Sequence, residues 1–177
     1  ERKLFTLNSG HAICAYLGAL RGRETILESI QDPVVGDIVH AAMRESGEGL
    51  IKEFSFDPEA HHAYVERIFS RFHNPHLKDE VSRVGREPIR KLSPMDRLIK
   101  PLTTTYNYGL PVDHMIFGAA AALHFNCPED SQSVEMNEKI QAEGVSAALA
   151  AYSGLQADHP LFGRILDVYR ALAVAKR

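Results

Sequence analysis

Three residues near the start of the chain have side chains that could do chemistry together: Lys3, Asn8 and His11, within Lys-Leu-Phe-Thr-Leu-Asn-Ser-Gly-His. At α-helical pitch, Asn8 lies about 140° around the axis from Lys3 and His11 about 80°, so all three share one broad sector. An amine, an amide and an imidazole facing one space suit hydride transfer from a secondary alcohol. A lysine in a partly dry site has its charged form disfavoured and can serve as general base. An amide N–H and an imidazole can steady the alkoxide that precedes hydride departure. Ser9-Gly10 beside them removes bulk, which would let a substrate or cofactor ring approach the helix. The plain alternative is a solvated Lys3 and a half-buried helix histidine. Against it stands Asn8-Ser9-Gly10, a run of poor helix formers that needs a reason in mid-helix.

A second group is basic. Between 83 and 100 the chain carries Arg83, Arg86, Arg90, Lys91, Arg97 and Lys100 against Glu87 and Asp96. The spacing Arg86-x-x-x-Arg90-Lys91 could place three cations on one turn-rich lobe, and Arg forks suit the oxygens of a sugar phosphate. A solvated basic face is the other reading of the same residues. Arg71 and Asn74 are secondary candidates for polyol hydroxyls.

Helices must position both groups. Apolar residues recur at three- and four-residue spacing along nearly the whole chain, and alternating strand patterns are scarce. Residues 3–21 read as one helix ended by Gly22, and 24–30 as a short one. Asp32-Pro33 and Asp57-Pro58 each give a cap followed by a first-turn proline, opening helices that run to Phe54 and Phe72. From 74 to 101 four prolines break the text into short helical turns and ordered loops. Helices follow at about 95–108, 112–125, 132–143, 145–152 and 159–174. The Ala119–Ala122 run marks close helix packing. The expected fold is a compact all-α domain spanning 1–177.

Composition narrows the function. Of 177 residues, 45% are hydrophobic and 24% charged, and the formal net charge is -3, so no global basic field draws the chain to nucleic acid or membrane. No apolar run approaches the roughly 18 residues of a membrane span. Two cysteines, Cys14 and Cys127, make no disulfide framework and fit a reducing, cytoplasmic setting. No G-x-G-x-x-G or P-loop is present, so the chain holds no usual dinucleotide cradle. His61, His62, His73 and His76 lack a Cys or carboxylate at ligand spacing; His61 and His62 read as surface residues and no metal is expected. His40, His114, His124 and His159 read as core or surface filler. A start inside a helix, without Met, suggests a piece of a longer chain.

The segment Lys3–His11 resembles the K-x-x-x-x-N-x-x-H signature of the polyol-specific long-chain dehydrogenases. Further segments are similar to the mannitol-1-phosphate 5-dehydrogenase branch: Ala15-Tyr16-Leu17-Gly18, Ile68–Pro75, Arg83–Leu92, Asp96–Pro101 and Tyr108-Gly109-Leu110-Pro111. The resemblance covers nearly the whole chain, fading over the last fifty or so residues. It implies an all-helical C-terminal domain of the 6-phosphogluconate dehydrogenase class, partnered by its own N-terminal Rossmann domain. It also implies NAD-dependent interconversion of D-mannitol 1-phosphate and D-fructose 6-phosphate, without a metal. By the resemblance Lys3 is general base, Asn8 and His11 polarise the reacting oxygen, and the 86–91 segment holds the phosphate. Two other outcomes stay open: a catalytically silent helical binding or regulatory module, and a relative acting on a free hexitol or hexuronate.

Overall fold

The computed structural model describes residues 1–175. It opens with a π-helical turn, Leu4–Asn8, which runs directly into α1, Ser9–Leu20. Then come α2 (Ile26–Gln31), α3 (Pro33–Phe54), α4 (Pro58–Phe72), α5 (Val81–Gly85) and α6 (Pro88–Lys91). The chain closes with α7 (Ile99–Asn107), α8 (Met115–Ala122), α9 (Ser131–Glu143), α10 (Val145–Ser153) and α11 (Pro160–Ala175). No strand forms among the described residues; the only sheet-like pairing is a single antiparallel bridge, Thr25 to Glu80. The expected all-α fold is therefore the one observed.

Local chemistry explains the boundaries. Thr25 and Glu28 form a reciprocal capping box at the start of α2. Asp32 accepts from the N–H groups of Val34 and Val35 ahead of Pro33, and Asp57 accepts from Ala60 ahead of Pro58. The carboxylate of Asp32 also lies beneath the guanidinium groups of Arg21 (2.6 Å) and Arg23 (2.9 Å). The hydrogen bond from Arg21 leads in holding its pKa down, to about 2. Two helices are shorter than their periodicity predicts. The turns of 93–98, where Leu98 N–H reaches back to Lys91 C=O, delay α7 to Ile99. For α8 the cap comes from far along the chain: Glu45 of α3 accepts from the N–H groups of His114 and Met115, so the helix starts at Met115.

The core is organised around α1, which packs against α2, α3, α5 and α8. Ala12, Ile13, Cys14, Ala15, Tyr16 and Leu17 are all buried, so this helix has no solvent face along its middle. Small residues set the spacing. A Cβ on Gly118 would lie 2.5 Å from the side chain of Ile13, which is how closely α8 lies on α1. Ala119–Ala122 are fully buried, as the alanine run predicts. The bridge at Thr25–Glu80 has a positional consequence, since Ile26 N–H donates to Asp79 C=O and Val81 N–H to Glu24 C=O. The segment entering α5 is thereby clipped to the one leaving α1.

Candidate active site

The opening turn departs from the α geometry expected of residues 3–21. Ser9 N–H bonds Leu4 C=O, five residues back, and also Thr6 C=O, passing over the carbonyl of Phe5. That carbonyl is served from α3 instead, by Ser46 Oγ at 2.8 Å. A turn widened to five residues winds by less than the α-helical 100° per residue, so Lys3 and Asn8 come closer round the axis than the α pitch predicts. Asn8 and His11, three residues apart across the join with α1, are neighbours on one face. Widened turns of this kind concentrate at functional sites.

Exposure grades along this face. Lys3 is exposed; Asn8 and His11 are half-buried. Neither the Lys3 amine nor the Asn8 amide has a hydrogen-bond partner among the described residues. A partly dry Lys3 is thus not achieved by these residues alone. The expectation for Ser9-Gly10 needs correcting too. Both are buried, and a Cβ on Gly10 would lie 2.7 Å from Met43 Sδ and 3.3 Å from the Phe72 ring. The missing bulk admits α3 and α4, not a ligand.

His11 is fixed on two sides. Its ring stacks on Phe72, centroids 5.4 Å apart at 16°, and Nε2 lies 3.1 Å from Asp79 Oδ2. Burial lowers its pKa, opposed by the carboxylate of Asp79. The imidazole borders an open cleft of about 620 Å³ whose other lining side chains include Arg83, Arg86, Arg90, Lys91 and Arg97, with Glu87, Glu129 and Asp130 opposite in charge. Of the three polar residues at the opening turn, His11 alone lines this cleft with the basic segment; Lys3 and Asn8 do not.

Most cations of that segment are already engaged. Arg83 pairs with Asp79, Arg97 with Asp96 at 2.9 Å, and Arg90 with both Glu87 (2.6 Å) and Asp96 (3.1 Å). Lys91 is only 4% exposed. Its Nζ donates to the carbonyls of Val84 and Arg86, and burial first, then the neighbouring Arg97 and Arg90, pull its pKa down to about 8. Of the three cations expected to face a phosphate, Arg86, Arg90 and Lys91, the structure buries Lys91 as an internal clamp and pairs Arg90 with Glu87 and Asp96. Arg86 is exposed, lines the cleft and makes no ion pair among the described residues.

The backbone that presents Arg86 is tied at four successive residues. Lys91 serves Val84 and Arg86, Tyr16 Oη donates to Gly85 C=O at 2.8 Å, and Glu87 N–H donates to Asp130 Oδ2 at 2.9 Å. Glu87 holds a left-handed conformation, φ 60°, unusual for a residue with a side chain. Gly85 is required by packing: a Cβ there would lie 2.6 Å from the Phe125 ring. Arg71 and Asn74 are exposed and do not line the cleft; Asn74 Oδ1 accepts from His76 N–H at 3.0 Å.

The residues 1–173 match the family model described as the mannitol dehydrogenase C-terminal domain. The chain belongs to that family. Its fold is also that of Pseudomonas fluorescens mannitol 2-dehydrogenase, solved as a ternary complex with NAD and D-mannitol, with a TM-score of 0.80 at 17% identity. The superposition covers 99% of this chain and 38% of that one, so the chain spans well under half the length of that mannitol dehydrogenase. At such identity the likeness speaks for the fold.

Sequence reasoning missed Asp79, whose i, i+4 spacing to Arg83 is visible but whose approach to His11 depends on the Thr25–Glu80 bridge. It also misplaced His61, which is 1% exposed among Phe56 and Tyr64, not on the surface. No group of three His, Cys, Asp or Glu side chains among the described residues is arranged to hold a metal, and no described helix is long and apolar enough to cross a membrane.

Proposed function

We propose that this domain is the substrate-binding and catalytic half of an NAD-dependent mannitol-1-phosphate 5-dehydrogenase, interconverting D-mannitol 1-phosphate and D-fructose 6-phosphate. The observation that carries the reading is the shared cleft: His11 borders the same space as Arg86, the one arginine of the basic segment left without a counter-ion among the described residues. A polyol with one anionic end fits such a space, hydroxyls toward the opening helix and phosphate toward Arg86.

In this reading Lys3 Nζ takes the proton of the reacting hydroxyl, and the Asn8 amide donates to the oxygen as charge develops. His11 contacts the same stretch of substrate. NAD, when bound, accepts the hydride; the described residues contain no strand–turn–helix to cradle it, so an adjoining Rossmann domain would hold it. The same domain, closing over exposed Lys3, would supply the water exclusion that a neutral amine needs. Buried, unpaired Cys14 and Cys127 support a reducing, cytoplasmic setting.

A free substrate without phosphate is the competing reading: the pairing of Arg90 and the internal bonding of Lys91 favour an uncharged hexitol, whereas a hexuronate, itself an anion, would call on Arg86 as a phosphate does. The test is kcat/KM for D-mannitol 1-phosphate against D-mannitol in the protein joined to its nucleotide-binding domain. The proposal expects the phosphate ester to lead by about tenfold or more, the worth of a charge-assisted hydrogen bond; equal values dismiss it.

A further inference from the structure

We propose that Asp79 is a positioning residue that holds His11 as its Nε2–H tautomer, so that His11 meets a hydroxyl next to the reacting carbon as a hydrogen-bond acceptor and selects for a vicinal diol. The inference rests on the dehydrogenase reading above and revises the part His11 plays in it.

The geometry starts from Asp79, whose backbone carbonyl is pinned by Ile26 N–H at 2.9 Å. Its side chain bridges two partners, Oδ1 to Arg83 and Oδ2 to His11 Nε2 at 3.1 Å. An ionised carboxylate only accepts, so the ring nitrogen facing it must carry the proton. Phe72 stacked on the imidazole fixes the plane of the ring, and a half-turn returning it to that plane would give up the bond to Asp79. Nδ1 has no partner among the described residues and belongs to a side chain bordering the cleft. In neutral imidazole, Nδ1 then offers a lone pair and no hydrogen.

An acceptor in that place has a restricted use. It cannot donate to an alkoxide. Nor can it share the single proton of the reacting hydroxyl once Lys3 has taken it. The Asn8 amide remains the donor for the reacting oxygen. What Nδ1 can accept is the hydrogen of an adjacent hydroxyl, which would fix rotation about the carbon–carbon bond and leave a lone alcohol poorly held. Polyols carry that adjacent hydroxyl at every internal carbon. The charged groups acting on the imidazole are Asp79, Arg83 and Lys91, and only Asp79 touches it.

The tautomer is read by two-bond proton–nitrogen correlation NMR of the 177-residue chain labelled with ¹⁵N-histidine. The expected wild-type pattern is a protonated Nε2 and a bare Nδ1 above the ring's titration; a protonated Nδ1 overturns the proposal. In Asp79→Ala the ring should become a tautomeric mixture and titrate at lower pH, because the carboxylate that favoured the cation is gone. Unchanged nitrogen shifts and midpoint overturn it as well. Arg83→Gln should leave the tautomer in place, separating the carboxylate from its other partner. In the protein carrying its nucleotide-binding domain, a substrate lacking the adjacent hydroxyl should lose at least about tenfold in kcat/KM with wild type and much less with Asp79→Asn. Equal losses would remove the diol selection. Because the tautomer needs no turnover to be seen, failure of the dehydrogenase reading would be distinguishable from failure of this pairing.

Discussion

The opening turn and the 83–97 segment are both polar, and they treat their polar groups in opposite ways. Around the opening turn, Lys3 and Asn8 spend no side-chain hydrogen bond on the protein, and His11 spends one. In the basic segment nearly everything is spent: Arg83, Arg90 and Arg97 are ion-paired, and Lys91 is buried against two carbonyls. Only Arg86 matches the opening turn in keeping its donors unused. Charge counted along a sequence therefore overstates charge on offer to a ligand. What distinguishes a binding group is the absence of an internal partner on a backbone held still.

The largest effect should come from the unspent amine. Lys3→Ala, in the protein with its nucleotide-binding domain, should lower kcat by about 10² to 10⁴ near neutral pH with the fold intact; retention of most turnover would remove the base assignment and level the two regions. The contrast inside the basic segment is the next test. Arg86→Gln should raise KM for D-mannitol 1-phosphate by about tenfold or more and leave D-mannitol unaffected, whereas Arg90→Gln should move KM by less than threefold, measured by initial rates. Equal penalties at both positions would show that ion pairing does not decide which cation is available.

The smallest effect sharpens the meaning of a spent group. Lys91→Met leaves the carbonyls of Val84 and Arg86 without their donor and should cost about 1 to 3 kcal/mol of stability in denaturant titration. It should also carry a pH signature. The folded pKa of Lys91, about 8, lies below its ordinary 10.5. Between those values the unfolded chain binds more protons, so wild-type stability gains on the variant's as pH rises through that window. A constant difference across it would mean that the amine is not held as described.

How far the sequence could be read depends on where each cause lies. The capped helices were legible because their determinants are adjacent: Asp32 with Pro33, Asp57 with Pro58, the alanine run of α8. The chemistry of Lys3, Asn8 and His11 was legible as types and spacing, though not its geometry, because the π turn depends on Ser46 donating across to Phe5. The shortened α8 was hidden for a like reason, its cap being Glu45 of another helix. Asp79 was hidden by an isolated bridge with no periodicity to announce it, and His61 by an aromatic surround assembled from α4 and the turn before it. The basic segment was visible as charge and illegible as availability: Glu87 and Asp96 stand within it, but their convergence on Arg90, and the burial of Lys91, depend on how its turns fold.

The extra residue accommodated between Leu4 and Ser9 is held by the core, since Phe5 and Thr6 within that turn are fully buried and Ser46 anchors the carbonyl of Phe5. From Ser9 onward the main helix is locked by Met43 and Phe72 closing on Gly10 and by Gly118 closing on Ile13, so a change of winding must be taken up upstream. Rewinding this segment to ordinary pitch with no residue removed would swing Lys3 by about 100° around the axis, whereas deleting one residue along with the wide turn would leave its direction nearly unchanged. The direction of the proposed proton acceptor is thus tied to a turn whose own side chains, Phe5 and Thr6, pack into the interior, so folding and reactivity are coupled at this end of the molecule.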